Sequence, residues 1–395
     1  MNWVMQVWEI SLGNLRSIPQ RLGTSLVIVI GIAGVVAVLV ALLAMGEGFR
    51  HTLASTGSDD RALVLRSGAN EELASGFARE QADAIAQAPG VARDPDGRAL
   101  VSPERYILTN LVNRANQEPS NIPVRGVDPV AFTLRPEVRI VEGRMLVPGA
   151  REVIVGRKLA GEFLGTGVGD SVPVRDGDWR VVGVFESGGD VHESELWVDR
   201  ATLDGVLRSS AVGSVMVQLE DAAAFDRFEQ AVADDPRVNV DVKRQSAYYA
   251  AQSEATGTFI RVLGTVVASI MALGAIFAAL NTMYSAVSTR TREIATLRAI
   301  GFGGGPVVTS VLVESLALAL LGGLLGGLLA WVLFNGFTVS TLNFQTFSQV
   351  AFSFRVTPEL LVRGLVWALA IGLVGGLLPA LRAARLPVTT ALREG

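Results

Sequence analysis

The sequence predicts an α-helical membrane protein with four transmembrane helices and a large extracytoplasmic α/β domain, in which a split ferredoxin-like subdomain carries a β-rich insertion. Three observations point there. Half of the 395 residues are apolar, 18% are charged and mean hydropathy is +0.40, too apolar for an ordinary water-soluble chain. Four long uncharged runs punctuate the chain. The charge is also divided: residues 47–260 hold 33 Asp/Glu against 23 Lys/Arg, and the rest holds 5 against 11, so the two parts face different surroundings.

Residues 1–20 predict an amphipathic interfacial helix. Val4, Trp8, Leu12, Leu15 and Ile18 recur at helical spacing, Trp3 and Trp8 suit a headgroup interface, and Pro19 ends the pattern. The first span is placed at 21–46, because Leu22–Gly46 is 25 residues without a charge, where about 20 suffice to cross the hydrocarbon. That run exceeds the apolar core of a secretory signal. The outer domain is placed at 47–257 and a second, mostly membrane-spanning segment at 258–395. Within the latter, spans are expected at about 258–287, 306–335 and 359–381, from the uncharged runs Val262–Thr289, Ser315–Phe334 and Gly364–Leu381. A connecting segment, 288–304, and a tail, 382–395, remain. Arg16 and Arg21, then Arg290, Arg292 and Arg298, then Arg382, Arg385 and Arg393 fall on one side if four spans are crossed in order. Arginine-rich short loops mark the cytoplasm, so both termini are expected there, with the acidic domain and the loop around 335–357 outside the cytoplasmic membrane.

In the outer domain, residues 61–66 alternate like a strand, 71–88 read as a helix and 99–108 as a strand. Residues 213–219, 221–234 and 237–242 repeat that order, with Phe225, Phe228 and Val232 on one helical face. These are two βαβ units. Between them shorter strands dominate, including Val172–Arg175 and Trp179–Phe185, joined by an expected turn at Asp176-Gly177-Asp178. Residues 248–261 predict a helix continuing into the second span.

Small residues stripe the spans. Gly322, Gly323, Gly326 and Gly327 give two G-x-x-x-G spacings, and Ala368, Gly372 and Gly376 give another, which lets helix backbones approach closely in lipid. Glu314 lies near the expected cytoplasmic end of the third span, where a structural role outweighs proton relay because the sequence shows no intramembrane partner charge.

Catalytic chemistry is not written into the chain. Disulfide frameworks, thiol catalysis and Cys-based zinc sites are excluded because there is no Cys, and the only histidines are His51 and His192. Lys158 and Lys243 are the only lysines and neither belongs to a G-x-x-x-x-G-K-[ST], so no P-loop exists and no cofactor is expected to bind directly. His192-Glu193-Ser194-Glu195 lacks the spacing of a defined metal site, and no serine sits in a nucleophile elbow. Nothing suggests a nucleic-acid partner.

The segment Val287-Ser288-Thr289-Arg290-Thr291-Arg292-Glu293-Ile294-Ala295-Thr296-Leu297-Arg298-Ala299-Ile300-Gly301 is similar to the R-x-R-E-I-x-x-L-R-A-x-G motif of the FtsX/MacB-like permeases of ABC transporters, the type VII or mechanotransmission class. Pro379-Ala380-Leu381-Arg382-Ala383-Ala384-Arg385 and Ala391-Leu392-Arg393 resemble that family's terminal motifs, and Trp8 with Asn14-Leu15-Arg16 resembles its opening. Glu152-Val153-Ile154-Val155-Gly156 and Gly169-Asp170-Ser171-Val172 are similar to weaker elements of its outer domain.

The resemblance implies a non-catalytic permease that dimerises with a second copy or a paralogue and couples to an ABC ATPase, which uses ATP and Mg. Members of the MacB type carry that ATPase fused at the N-terminus, so a separate ATPase chain is expected here. The family exports or extracts antibiotics, peptides, lipids and lipoproteins, in some cases with a membrane-fusion adaptor. An FtsX-like relay that activates a cell-wall hydrolase is the alternative, and the roughly 200-residue outer domain favours transport. Residues 290–300 are helix-compatible, with Ile294, Leu297 and Ile300 as an apolar stripe beside Arg290, Arg292, Glu293 and Arg298. With the resemblance, these seven are expected to dock on the ATPase.

Overall fold

The structure is a computed structural model and describes residues 3–17, 22–343, 346 and 348–385. In chain order its helices are α1 (Trp3–Ser17), α2 (Leu22–Thr56), α3 (Arg79–Ile85), α4 (Val130–Leu134), α5 (Arg157–Glu162), α6 (Arg200–Leu207), α7 (Phe225–Ala233), α8 (Gln245–Thr289), α9 (Thr291–Ala299), α10 (Gly304–Phe334) and α11 (Pro358–Arg385). The strands are β1 (Arg61–Arg66), β2 (Val101–Val112), β3 (Pro119–Val127), β4 (Arg139–Gly143), β5 (Glu152–Gly156), β6 (Ser171–Val174), β7 (Gly177–Glu186), β8 (Leu196–Asp199), β9 (Ser214–Gln218), β10 (Val240–Arg244), β11 (Thr338–Asn343) and β12 (Ser348–Ser353). They form two compact units: residues 1–47, 258–337 and 354–395, and residues 48–257 with 338–353.

The first unit is helical. Among the described residues, α2, α8, α10 and α11 are long and apolar enough to cross a membrane. Glycine sets how closely they pack. A Cβ at Gly322 would lie 2.9 Å from the Ile32 Cβ, and one at Gly326 would collide with the Ala33 carbonyl oxygen, so both face α2. Gly323 and Gly327, one residue further round α10, meet Ala368 and Leu361 of α11. Gly372 and Gly376 return the contact from α11 to Ala319 and Ser315 of α10. The four glycines thus present two flat faces, one for each neighbouring helix.

Helix α1 lies along α10 with Ile10 and Ser11 buried, while Trp8 is 66% exposed. Of the expected apolar stripe, the Val4, Leu15 and Ile18 side chains lie outside the described residues. The inward face is centred on Ile10, because Ile10 meets Val307 and Val311 of α10.

In the second unit the strand order begins β10-β1-β9-β2, all neighbours antiparallel. β1 and β2 therefore run parallel with β9 between them, and β9 and β10 run parallel with β1 between them, so the two βαβ units interleave. α3 and α7 cover this half, with Phe225, Phe228 and Val232 buried against Val64, Val215 and Val217. Long β2 belongs to both halves of the sheet: Val101–Glu104 pair with β9 and Arg105–Val112 with β3. From β3 the sheet continues through β8, β5, β7 and β4, and β6 pairs with β7. Trp179 and Phe163 are fully buried in the core of this β-rich half.

Four details differ from the sequence expectations. Helix is confined to Arg79–Ile85 of the expected 71–88, because Glu72 is drawn into a buried ion cluster and Phe77 pairs its backbone with Val212. The β6–β7 turn closes at Arg175-Asp176, with Arg175 at φ +53° and Val174 opposite Gly177, so Gly177 and Asp178 already belong to β7. The last strand starts at Val240, since Asp235 holds the turn through the Val238 and Arg237 amides. The fourth is the hairpin β11–β12, which the division at 258–395 assigns to the permease segment but which packs within the second unit. There the Ala351 amide donates to Ser194 Oγ (2.9 Å), Asn343 Nδ2 donates to Gln252 Oε1 (3.2 Å), and the Phe352 ring meets Phe49 edge-on at 5.4 Å.

Candidate functional site

The segment between α8 and α10 is a short helix held down on one side. Arg290, the residue preceding α9, points inward: its Nη1 donates to Glu314 Oε2 of α10 at 3.0 Å, and both side chains are buried. Ile294, one turn on, is 8% exposed and packs beside Val307, Val311 and Ile10 around a cavity of about 30 Å³. Taking two charges out of water is costly unless each has its partner. The pair therefore fixes how α9 lies on α10.

This divides the seven predicted residues. Arg290 and Ile294 are turned inward in this chain, whereas the docking expectation placed both at the surface toward a partner. The cause is Glu314, whose partner on another element is invisible in the sequence. Leu297 and Arg298 are half-buried, and Arg292, Glu293 and Ile300 are exposed, Ile300 at 69%. The outward surface is thus charged at Arg292 and Glu293 and apolar at Ile300. The packing glycines Gly322, Gly323, Gly326, Gly327, Gly372 and Gly376 all lie at helix contacts.

The second unit contains a buried ion cluster that sequence inspection missed. All five donors of Arg125 are used: Nε to Glu195 (2.7 Å), Nη1 to Glu72 (2.7 Å) and Glu104 (2.6 Å), and Nη2 to Glu72 (2.9 Å) and Glu195 (2.8 Å). Arg135 grips both oxygens of Glu104 at 2.6 and 3.0 Å and lies over the Trp197 ring. Trp197 Nε1 donates to Glu195, and Ser214 Oγ to Glu72. Burial alone would push the Glu104 carboxyl up, but the Arg135 and Arg125 guanidinium groups outweigh it and hold it at about 2. Glu72 is likewise buried, and Arg125 holds it below the usual carboxylate range. The signal was present in β3, where Arg125 sits among Ile122, Val124 and Val127 at a core position of a strand. The cluster joins β2, β3, β8 and the 71–78 turn and exposes no reactive group, so its work is structural.

The His192 neighbourhood is also resolved into pairs. His192 Nδ1 meets Asp190 at 2.8 Å, Glu193 accepts from the Ser187 and Gly189 amides, and Glu195 belongs to Arg125. These groups point to separate partners and do not converge on one point.

Comparison with known proteins places both units. Residues 24–235 match the MacB-like periplasmic core domain and residues 265–388 the FtsX-like permease C-terminal domain. An uncharacterized ABC transporter permease, YvrN, of Bacillus subtilis (strain 168) is 25% identical over 96% of this chain and 96% of its own. The macrolide export ATP-binding/permease protein MacB of Hyphomonas neptunium is 27% identical over 98% of this chain and 61% of its own length. The pyoverdine export ATP-binding/permease protein PvdT of Pseudomonas fluorescens is 25% identical over 93% and 56%. Among solved structures, the extracellular domain of the noncanonic ABC-type transporter YknZ from Gram-positive bacteria overlaps 46% of this chain at TM-score 0.35 and 19% identity. With the core-domain match covering more than half of the residues and the permease match most of the remainder, the chain belongs to the FtsX/MacB-like ABC transporter permeases.

Proposed function

We propose that this chain is the permease subunit through which an ABC ATPase on a separate chain moves the outer unit, for export or extraction of a substrate. The observation that carries the reading is α9: one side is fastened to α10 through Arg290 and Ile294, and the other offers Arg292, Glu293 and Ile300 to a partner. A force applied to such a helix is passed to the spans. α8 precedes it as one unbroken helix of 45 residues, roughly 65 Å long at 1.5 Å per residue, more than twice the hydrocarbon thickness. The arginines of the short loops support placing α9 in the cytoplasm and the second unit outside. Its interleaved βαβ half is read as split ferredoxin-like, from the strand order. ATP and Mg act on the partner ATPase. A second copy or a paralogue completes the permease pair, and a membrane-fusion adaptor is compatible with the relatives named for export.

The test uses the exposed residues. Ile300→Asp combined with Arg292→Glu should leave membrane insertion and thermal stability intact and abolish co-purification with the ATPase subunit and its stimulation. If the double variant binds and stimulates the ATPase like the parent, α9 is a topological anchor and the coupling assignment fails.

A further inference from the structure

β10 is the terminal strand of the ten-stranded sheet, and among the described residues only β1 pairs with it. The Ser67 amide donates to the Asn239 carbonyl, and bonded pairs alternate along an antiparallel ladder. With Leu65 opposite Asp241 and Leu63 opposite Lys243, those pairs bond inward. The N–H and C=O groups of Val240 and Val242 and the N–H of Arg244 therefore face away from the sheet, while the Arg244 carbonyl caps the start of α8. A row of outward backbone groups is a template for another strand.

Beside this edge lies a cavity of about 620 Å³ lined by Val242, Lys243, Arg244, Phe225, Tyr248 and Glu71, among others. That volume is in the range of ligand sites. The polar groups lining it are not all spoken for. Tyr248 and Glu71 contribute to the lining, although the Tyr248 hydroxyl and Glu71 Oε2 themselves are closed to solvent and have no hydrogen-bond partner among the described residues. The Lys243 ammonium makes no ion pair or hydrogen bond among the described residues. Arg244, in contrast, is committed: it lies 4.2 Å over the Phe225 ring and donates to the Ala222 carbonyl. What an incoming chain can reach here is the outward backbone row of β10, the Lys243 ammonium and the apolar lining beside them.

We propose that the cavity receives an extended peptide from another molecule, which adds to the sheet along β10 and carries an acidic group to Lys243. A peptide fits better than an acyl lipid because the outward amides of Val240, Val242 and Arg244 call for alternating donors and acceptors, which a hydrocarbon chain lacks. Phe225, Val242 and Ala247 give side chains of the added strand an apolar floor. This goes beyond the transport reading, because occupancy of the site needs no ATPase.

The experiment titrates the full chain in phosphatidylcholine nanodiscs with a pentapeptide of alternating valine and threonine bearing free termini. The same peptide N-methylated at alternate backbone nitrogens and a short-chain lysophosphatidylcholine are the comparison probes. Saturable binding is expected, weakened about tenfold by N-methylation, by Lys243→Glu and by Val242→Pro, each removing one charge-assisted or backbone contact. Proline is tolerated where an edge N–H faces outward, so the melting temperature of Val242→Pro should hold. If that variant fails to fold, the N-methylated probe on the parent chain decides. No saturable peptide binding at millimolar concentration, equal affinity for the N-methylated probe, or binding of the lysolipid alone overturns the proposal.

Discussion

Arg125 shows what a single side chain can be asked to hold. Three carboxylates and two guanidinium groups are buried together, one negative charge in excess. Such a cluster is weak evidence for high stability, yet removing one member is severe. Arg125→Met should cost about 3–5 kcal/mol, since Glu72 and Glu195 lose their ion partner in a dry interior. The pH dependence follows from the depressed carboxyls. Glu104 is held at about 2 against an ordinary 4.5, so it contributes stability that is present above the ordinary value and lost as pH falls toward about 2. In the variant, Glu104 keeps only Arg135 and ionises less readily, so the acid unfolding midpoint should move to higher pH. Thermal melts of parent and variant across the acid range check both statements, and an unchanged midpoint would show that the cluster does not control acid stability.

Among the elements, what sequence made legible depended on whether a contact was local. The glycine spacing of α10 predicted close packing, and the structure adds which glycine meets which helix: Gly326 meets α2, Gly372 meets α10. Overpacking a tight contact costs about 1–3 kcal/mol or more, so Gly326→Val should lower the melting temperature and the yield of folded protein. Gly274→Val, where the added Cβ meets open space, should not. Equal behaviour of the two in a detergent melt would refute the assignment. For α9, the helix and its charges could be read directly, but not which face turns inward. Periodicity makes Ile294, Leu297 and Ile300 look alike. The distinction comes from Glu314 and Ile10, residues 24 and 280 or more positions away from Arg290 in the chain, and no local pattern encodes such a meeting. The β6–β7 turn failed for the opposite reason: Asp176-Gly177 is a strong local turn signal, and the pairing of Val174 with Gly177 moved the turn by one residue.

At the scale of the whole molecule, four spans and an acidic α/β domain could be read from uncharged runs and from the division of charge, because both are averages over many residues. Sidedness rests on the same arginines and is open to a direct test. In a chain with no native Cys, Ser210→Cys should react with an impermeant thiol reagent in intact cells and Ala299→Cys should not. The reverse pattern would invert the topology. Not legible was the membership of residues 338–353, which the spacing between two spans marks only as a loop. That membership has a consequence for biosynthesis. The surfaces of Phe49 and Ser194 that receive Phe352 and Ala351 are translated well before those partners exist. On the ribosome the second unit therefore waits, incomplete, while α8 and α10 are made, and its last two strands arrive only just before α11. Maturation of the second unit is thereby tied to the order in which the long apolar helices are synthesised.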